Sequence, residues 1–159
     1  MSTNMTLPRR ALLFAATALA ACGGKSAAQA APDAYADSPW RRLTDAEWKS
    51  RLSPLAYQVL RREGTERAGT SPLDKEKRRG TYVCAGCELP LFKSDWKYDS
   101  RTGWPSFYGK KVDFKIGVPR TEYHCARCLG HQGHVFNDGP RPTGLRYCNN
   151  GVALKFIPA

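Results

Sequence analysis

Cys84-Ala85-Gly86-Cys87 and Cys125-Ala126-Arg127-Cys128 repeat one spacing twice on a single chain. Two residues between thiolates let both sulfurs turn toward one point, and two such knuckles complete the tetrahedral, all-sulfur shell that Zn²⁺ accepts at about 2.3 Å per bond. A closed shell leaves no position for a substrate, so Cys84, Cys87, Cys125 and Cys128 read as a structural zinc site. The competing chemistry is oxidation to two disulfides, or a redox-active pair, both natural in an oxidising compartment.

Working outward from the knuckles, the residues after Gly80 have a strand-and-turn texture. Thr81-Tyr82-Val83, Val112-Asp113-Phe114-Lys115-Ile116, Leu145-Arg146-Tyr147-Cys148 and Ala153-Leu154-Lys155-Phe156-Ile157 alternate or cluster apolar residues between Gly and Pro breaks. Before Gly80 the pattern is helical. Thr44-Asp45-Ala46-Glu47 is a capping box, after which Trp48 and Leu52 share a helix face. Ser53-Pro54 repeats the start signal, and Leu55, Val59 and Leu60 predict an apolar stripe running to Gly64. Residues 65–80 are polar and read as a surface connection. The fold class expected is mainly β, one domain with short N-terminal helices, and no internal repeats are visible in the 159 residues.

The first 39 residues have another composition. Arg9 and Arg10 precede an uncharged run, Ala11 onward, that is too short for a spanning helix of about 20 residues. Residues 1–21 read as a signal peptide. Pro8-Arg9-Arg10-Ala11-Leu12-Leu13 resembles a twin-arginine signal, and Leu19-Ala20-Ala21-Cys22 resembles a lipobox that would place a lipid on Cys22. A basic amphipathic leader or an uncleaved anchor is the alternative. Residues 22–39, rich in Ala, Gly, Ser and Pro, read as a flexible tether, leaving 40–159 as the folded domain. The expected location is the periplasm or cell envelope, as a membrane-anchored lipoprotein. The formal charge of +11 favours anionic partners without choosing among them.

With four cysteines assigned to metal and Cys22 to lipid, Cys148 remains. On a strand, Arg146, Cys148 and Asn150 project from one face. The cation favours a thiolate, and the amide can order a water or a substrate oxygen. A lone strand cysteine taken by itself is more often an inert core residue.

Ordered blocks then carry a resemblance. Tyr82-Val83-Cys84-Ala85-Gly86-Cys87, Lys97-Tyr98-Asp99-Ser100, Gly103-Trp104-Pro105-Ser106-Phe107, His131-Gln132-Gly133-His134-Val135-Phe136 with Asp138-Gly139-Pro140, and Thr143-Gly144-Leu145-Arg146-Tyr147-Cys148-Asn149-Asn150 together resemble the B-type methionine sulfoxide reductases. The resemblance implies two antiparallel sheets forming an open β-tent, with the zinc away from the reaction centre. It also implies reduction of methionine-(R)-sulfoxide in proteins or peptides. Cys148 matches the catalytic cysteine, which attacks the sulfoxide sulfur and is left as a sulfenic acid. His131 and His134 match the residues that polarise, protonate and orient the sulfoxide oxygen. Trp104 matches the pocket wall that packs the substrate methyl group, with Phe136 beside it as substrate-binding or core. Arg146 and Asn150 match residues of the same pocket. Trp40, Trp48 and Trp96 read as ordinary core.

Many members of that family carry a resolving cysteine where this chain has Thr102, and Arg101 stands where glycine is common. Threonine cannot form a disulfide, so the resemblance implies resolution by an external thiol, either a thioredoxin-like protein or a small molecule. The expected partners are oxidised proteins or peptides, that reductant and a membrane reached through the lipid anchor, with no nucleic acid and a monomeric chain. The rival functions are a zinc-knuckle module gripping nucleic acid through its basic surface, and a purely structural zinc protein.

Overall fold

The computed structural model describes residues 33–110, 115–116 and 122–159, with the backbone alone described at 115–116. The leader over 1–21, Cys22, the tether as far as residue 32, and residues 112–114 of the strand expected at 112–116 lie outside the described residues. The remainder of the expected tether, residues 33–39, is folded onto the body. Arg41 pairs both of its terminal nitrogens with the Asp33 carboxylate at 2.7 and 3.0 Å, Tyr35 packs against the core, and Trp40 lies 6.0 Å from Trp48, centroid to centroid. Composition alone misses this because the anchoring groups are few and their partners are distant in sequence.

Two short helices follow, α1 (Asp45–Arg51) and α2 (Pro54–Arg62). The capping box at α1 is formed as expected. Thr44 N–H donates to Glu47 Oε2 at 2.7 Å and Glu47 N–H donates to Thr44 Oγ1 at 3.3 Å, an arrangement worth about 1 kcal/mol. Ser53 caps α2 by accepting from Ala56 N–H at 3.2 Å, with Pro54 at the first helical position. The apolar stripe of α2 differs from the expected one. Ala56, Tyr57, Val59 and Leu60 are buried while Leu55 is 48% exposed. The helix lies against β7, and Leu60 packs beside Gly130 and Cys128 of the second cysteine knuckle. The helix ends with Glu63 in the left-handed region (φ 56), where its N–H and that of Gly64 both return to Gln58 O.

The strands are β1 (Gly80–Cys84), β2 (Pro90–Lys93), β3 (Lys97–Tyr98), β4 (Ser106–Phe107), β5 (Lys115–Ile116), β6 (Glu122–His124), β7 (His131–Phe136), β8 (Arg146–Asn149) and β9 (Leu154–Pro158). They form two antiparallel sheets, β2-β1-β9 and β3-β4-β8-β7-β6-β5. An aromatic seam joins the sheets. Phe92 of β2 stacks on Phe107 of β4 at 4.1 Å, and Tyr82 of β1 meets the same ring edge-on at 4.9 Å. Tyr147 of β8 touches Phe92 at 6.0 Å and Tyr123 of β6 at 5.7 Å. Such pairs contribute about 0.5–1.5 kcal/mol each beyond their buried area. Their fixed geometry locks the outer residues of β4 and β8 in place, because alternate strand positions face opposite ways. No helix of the described residues is long and apolar enough to cross a membrane.

Candidate active site and cysteine cluster

All four knuckle cysteines are buried, and their sulfurs face one another across the two knuckles: Cys84 to Cys128 at 3.6 Å and Cys87 to Cys125 at 3.5 Å. A disulfide requires about 2.05 Å, whereas the edge of a tetrahedron with bonds of about 2.3 Å is about 3.8 Å. The spacing therefore matches a shared ion, and the cysteines are free thiols. The surroundings suit an anionic cluster, since a divalent ion with four thiolates carries a net negative charge. Gln132 Nε2 donates to Cys84 Sγ at 3.4 Å, and Arg61 and Arg127 each donate at 3.1 Å to knuckle carbonyls, of Cys128 and Cys87. Arg41 donates to the carbonyl of Ala126.

Cys148 lies elsewhere, near the centre of the six-stranded sheet. Its direct cross-strand neighbours are Ser106 on β4 and His134 on β7, and the next partners outward are Tyr98 on β3 and Glu122 on β6. Residues directly opposite in an antiparallel pair share a face with Cβ atoms about 4.5–5.5 Å apart. Tyr98, Ser106, Cys148, His134 and Glu122 thus form one row across five strands. His134 Nε2 is 3.5 Å from Glu122 Oε1. Gly133 permits this register, because a Cβ there would strike the carbonyl oxygen of Cys148.

A cavity of about 140 Å³ opens at the row, lined by Trp104, His134, Phe136 and Cys148 together with Thr65 and the 149–150 segment. An enclosed cavity of about 150 Å³ holds a benzene-sized guest, so a methyl thioether fits this volume. The structure brings Cys148, His134, Trp104, Phe136 and Asn150 together at this opening, while His131 and Arg146 are not part of its lining. Phe136 is exposed at the rim instead of buried in the core. Asn150 touches the cavity, but its Oδ1 accepts from Glu66 N–H at 2.9 Å and its Nδ2 donates to Gln132 O at 3.1 Å. Those bonds make the amide a strap between segments and limit the expected role of ordering a water or sulfoxide. His131 is fully buried, and burial holds its pKa down at about 4. It is neutral at pH 7, with its ring 5.5 Å from that of His134.

Arg146 was expected to draw the Cys148 pKa downward. The net direction is upward, because desolvation of the half-buried thiol outweighs the favourable charge of Arg146 and the hydrogen bonds from Thr102, Arg146 and Ser106. Asp138 shares that guanidinium through two bonds of 2.8 Å, which divides its charge. Sequence reasoning singled out Thr102 without its contact to the sulfur, and missed Ser106 and Glu66 altogether. Thr102 and Ser106 touch the sulfur and belong to a hydroxyl chain through Ser100 Oγ, at 2.8 and 2.7 Å. Glu66 is 2% exposed; its carboxylate accepts from Gly151 and Val152 N–H at 2.5 and 3.0 Å, and its carbonyl accepts from Trp104 Nε1 at 3.2 Å. Nothing separates Glu66 from the surrounding charged residues in sequence, and no local signal could have found it.

The SelR domain family model matches residues 52–158. The peptide methionine sulfoxide reductase MsrB of Leptospira interrogans is 54% identical over 121 residues, covering 71% of this chain and 92% of that protein. The MsrB of Thiobacillus denitrificans is 50% identical over 123 residues, covering 72% and 93%. The chloroplastic peptide methionine sulfoxide reductase B1 of Arabidopsis thaliana is 46% identical over 143 residues, covering 83% and 71%.

A raised pKa leaves the Cys148 thiol protonated at neutral pH, so its alkylation should accelerate as pH rises past the free-cysteine value of about 8.5. Iodoacetamide labelling of Cys148 against pH, read by peptide mass spectrometry, is expected to give a midpoint above that value. In Arg146→Leu the midpoint should move higher still. A plateau already reached below pH 7 would contradict this electrostatic balance.

Proposed function

The chain belongs to the B-type methionine sulfoxide reductases, the SelR-domain family, and on that premise we propose that it reduces methionine-(R)-sulfoxide in oxidised proteins and peptides, with Cys148 as nucleophile. One observation carries the reading: the reactive row of Ser106, Cys148, His134 and Glu122 opens into a cavity walled by Trp104 and Phe136.

In this reading the Trp104 indole packs the substrate's methyl group, and its N–H bond to Glu66 O keeps the ring in place. Cys148, protonated at rest, passes its proton to its cross-strand neighbour His134 and attacks the sulfoxide sulfur as a thiolate, forming a sulfur–sulfur bond. As the sulfur–oxygen bond breaks, the oxygen takes a proton from His134, whose ring is held by Glu122. The hydroxide so released attacks the Cys148 sulfur, the sulfur–sulfur bond breaks, and the thioether leaves with Cys148 as a sulfenic acid. The substrate sulfur gains the two electrons that the cysteine sulfur loses. His131, buried and neutral, acts through packing on His134, and Arg146 offsets part of the cost of the buried thiolate.

Thr102 reaches the Cys148 sulfur but cannot form a disulfide with it. Resolution therefore falls to external thiol, from a thioredoxin-like protein or a small molecule. One thiol forms a mixed disulfide and releases water, and a second frees Cys148. The four buried knuckle sulfurs would hold one structural Zn²⁺; when bound it supplies a cross-link between β1 and the β6–β7 turn, and no reaction chemistry.

The leader motif supports a place in the cell envelope, with a lipid on Cys22 and oxidised envelope proteins as substrates. Incorporation of labelled palmitate that disappears in Cys22→Ser checks this anchor.

Separate R and S epimers of a methionine sulfoxide peptide, incubated with dithiothreitol and the purified soluble part, test the activity. Only the R form should be consumed, by protein carrying one zinc per chain. Cys148→Ser should fall to background, and His134→Gln should lose about 10²–10⁴ in turnover. Consumption of the S form, or activity surviving in Cys148→Ser, would refute the assignment.

A further inference from the structure

The chain has three histidines, and all of them converge on one carboxylate. Glu122 at the start of β6, His124 at its end and His131 at the start of β7 each offer a ligand atom, and those atoms lie within 4.8 Å of one another. The irregular register between Tyr123 and His124 pairs His124 with His131. A regular strand points residues 122 and 124 the same way, and the shift extends that face to His131.

Two details suit a cation better than a simple polar cluster. His124 Nδ1 is 3.2 Å from Leu129 O, which can only accept, so the proton sits on Nδ1 and the Nε2 lone pair is left facing Glu122 Oε2 at 3.9 Å. A ring nitrogen fixed by a backbone carbonyl in this way is the usual outer support of a metal-bound imidazole. His131 is 0% exposed, and neither of its ring nitrogens has a hydrogen-bond partner. An unsatisfied buried polar group costs about 1–3 kcal/mol. A metal ion at the centre of the cluster would satisfy one of the two.

We propose that Glu122, His124 and His131 form a second metal site, separate from the cysteine cluster, that takes a borderline divalent transition ion through two imidazole nitrogens and a carboxylate oxygen. Imidazole donors select zinc, nickel, cobalt and copper over magnesium and calcium. Bonds of about 2.0–2.2 Å in tetrahedral geometry set ligand atoms about 3.4 Å apart, so ligand atoms now within 4.8 Å of one another close by up to about 1.4 Å onto the ion. His134, 3.5 Å from the other Glu122 oxygen, lies outside this three-residue cluster, so a water would take the fourth position. An ion here would draw Glu122 away from His134 and slow the reductase reversibly. That consequence rests on the functional reading above, while the binding itself does not.

Binding can be measured without turnover. Cobalt(II) chloride is titrated into zinc-loaded protein carrying Cys148→Ser, so that neither the reactive thiol nor catalysis contributes to the signal. The expected result is one cobalt per chain, giving visible ligand-field absorption without thiolate-to-cobalt charge transfer, while zinc is retained. His124→Asn keeps a side-chain donor for Leu129 O but removes the ligand nitrogen, and Glu122→Gln keeps the shape but removes the charge. Each should weaken cobalt binding at least tenfold. No binding at stoichiometric cobalt, thiolate charge-transfer bands with zinc released, or unchanged affinity in both variants would overturn the proposal. Glu122 is about a third exposed, so its variant serves even if His124→Asn fails to fold.

Discussion

Antiparallel register is the constraint on which the rest of this structure depends. Residues on β4, β8, β7 and β6 that are far apart in sequence become one polar line because each pairs directly with the next. A slip by one residue would turn every member of that line to the opposite face. Two features prevent it. Phe107, Tyr147 and Tyr123 occupy the inner face of these strands and meet Phe92 of the other sheet or one another, and Gly133 admits the Cys148 carbonyl where any Cβ would collide with it. The Cys148 sulfur is therefore placed by the core behind it as much as by the pocket in front.

Within that line, two opposing electrostatic effects meet at Cys148. Burial raises the cost of a thiolate, while Arg146, Thr102 and Ser106 reduce it without cancelling it. The Arg146 charge is partly claimed by Asp138, and its guanidinium also lies over the Phe136 ring at 4.2 Å. A thiol kept largely protonated at rest is less exposed to random oxidation than a standing thiolate, because the thiolate is the reactive form. The zinc-type cluster follows the opposite logic, with four sulfurs buried, Gln132 donating to one of them and Arg61 and Arg127 donating to the knuckle carbonyls.

Local features of this protein were legible in the sequence because their physics is local. The capping box at Thr44, the Ser53-Pro54 start and the paired cysteine knuckles each depend on residues a few positions apart, and the structure contains all of them. The mainly β body with two antiparallel sheets was legible too. What escaped depends on distant pairing. The face of α2 that turns inward, the burial of Glu66 and the bonds that commit the Asn150 amide all follow from partners remote in sequence. Composition also misplaced the start of the folded body, since Asp33 and Tyr35 are held by Arg41 and the core. An odd spacing on a strand already separates His134 from His131; what could not be read from it is the pairing of His131 with His124, which depends on the irregular pairing of β6 with β7.

The central claim is that one sulfur, Cys148, takes the oxygen while Thr102 offers it no disulfide. Mass spectrometry after a single turnover without reductant addresses it most directly. The account predicts one equivalent of methionine released and a sulfenic acid trapped by dimedone on Cys148, with the four knuckle cysteines unmodified. A disulfide linking Cys148 to another cysteine of the chain, or oxygen found on a knuckle sulfur with Cys148 untouched, would contradict it.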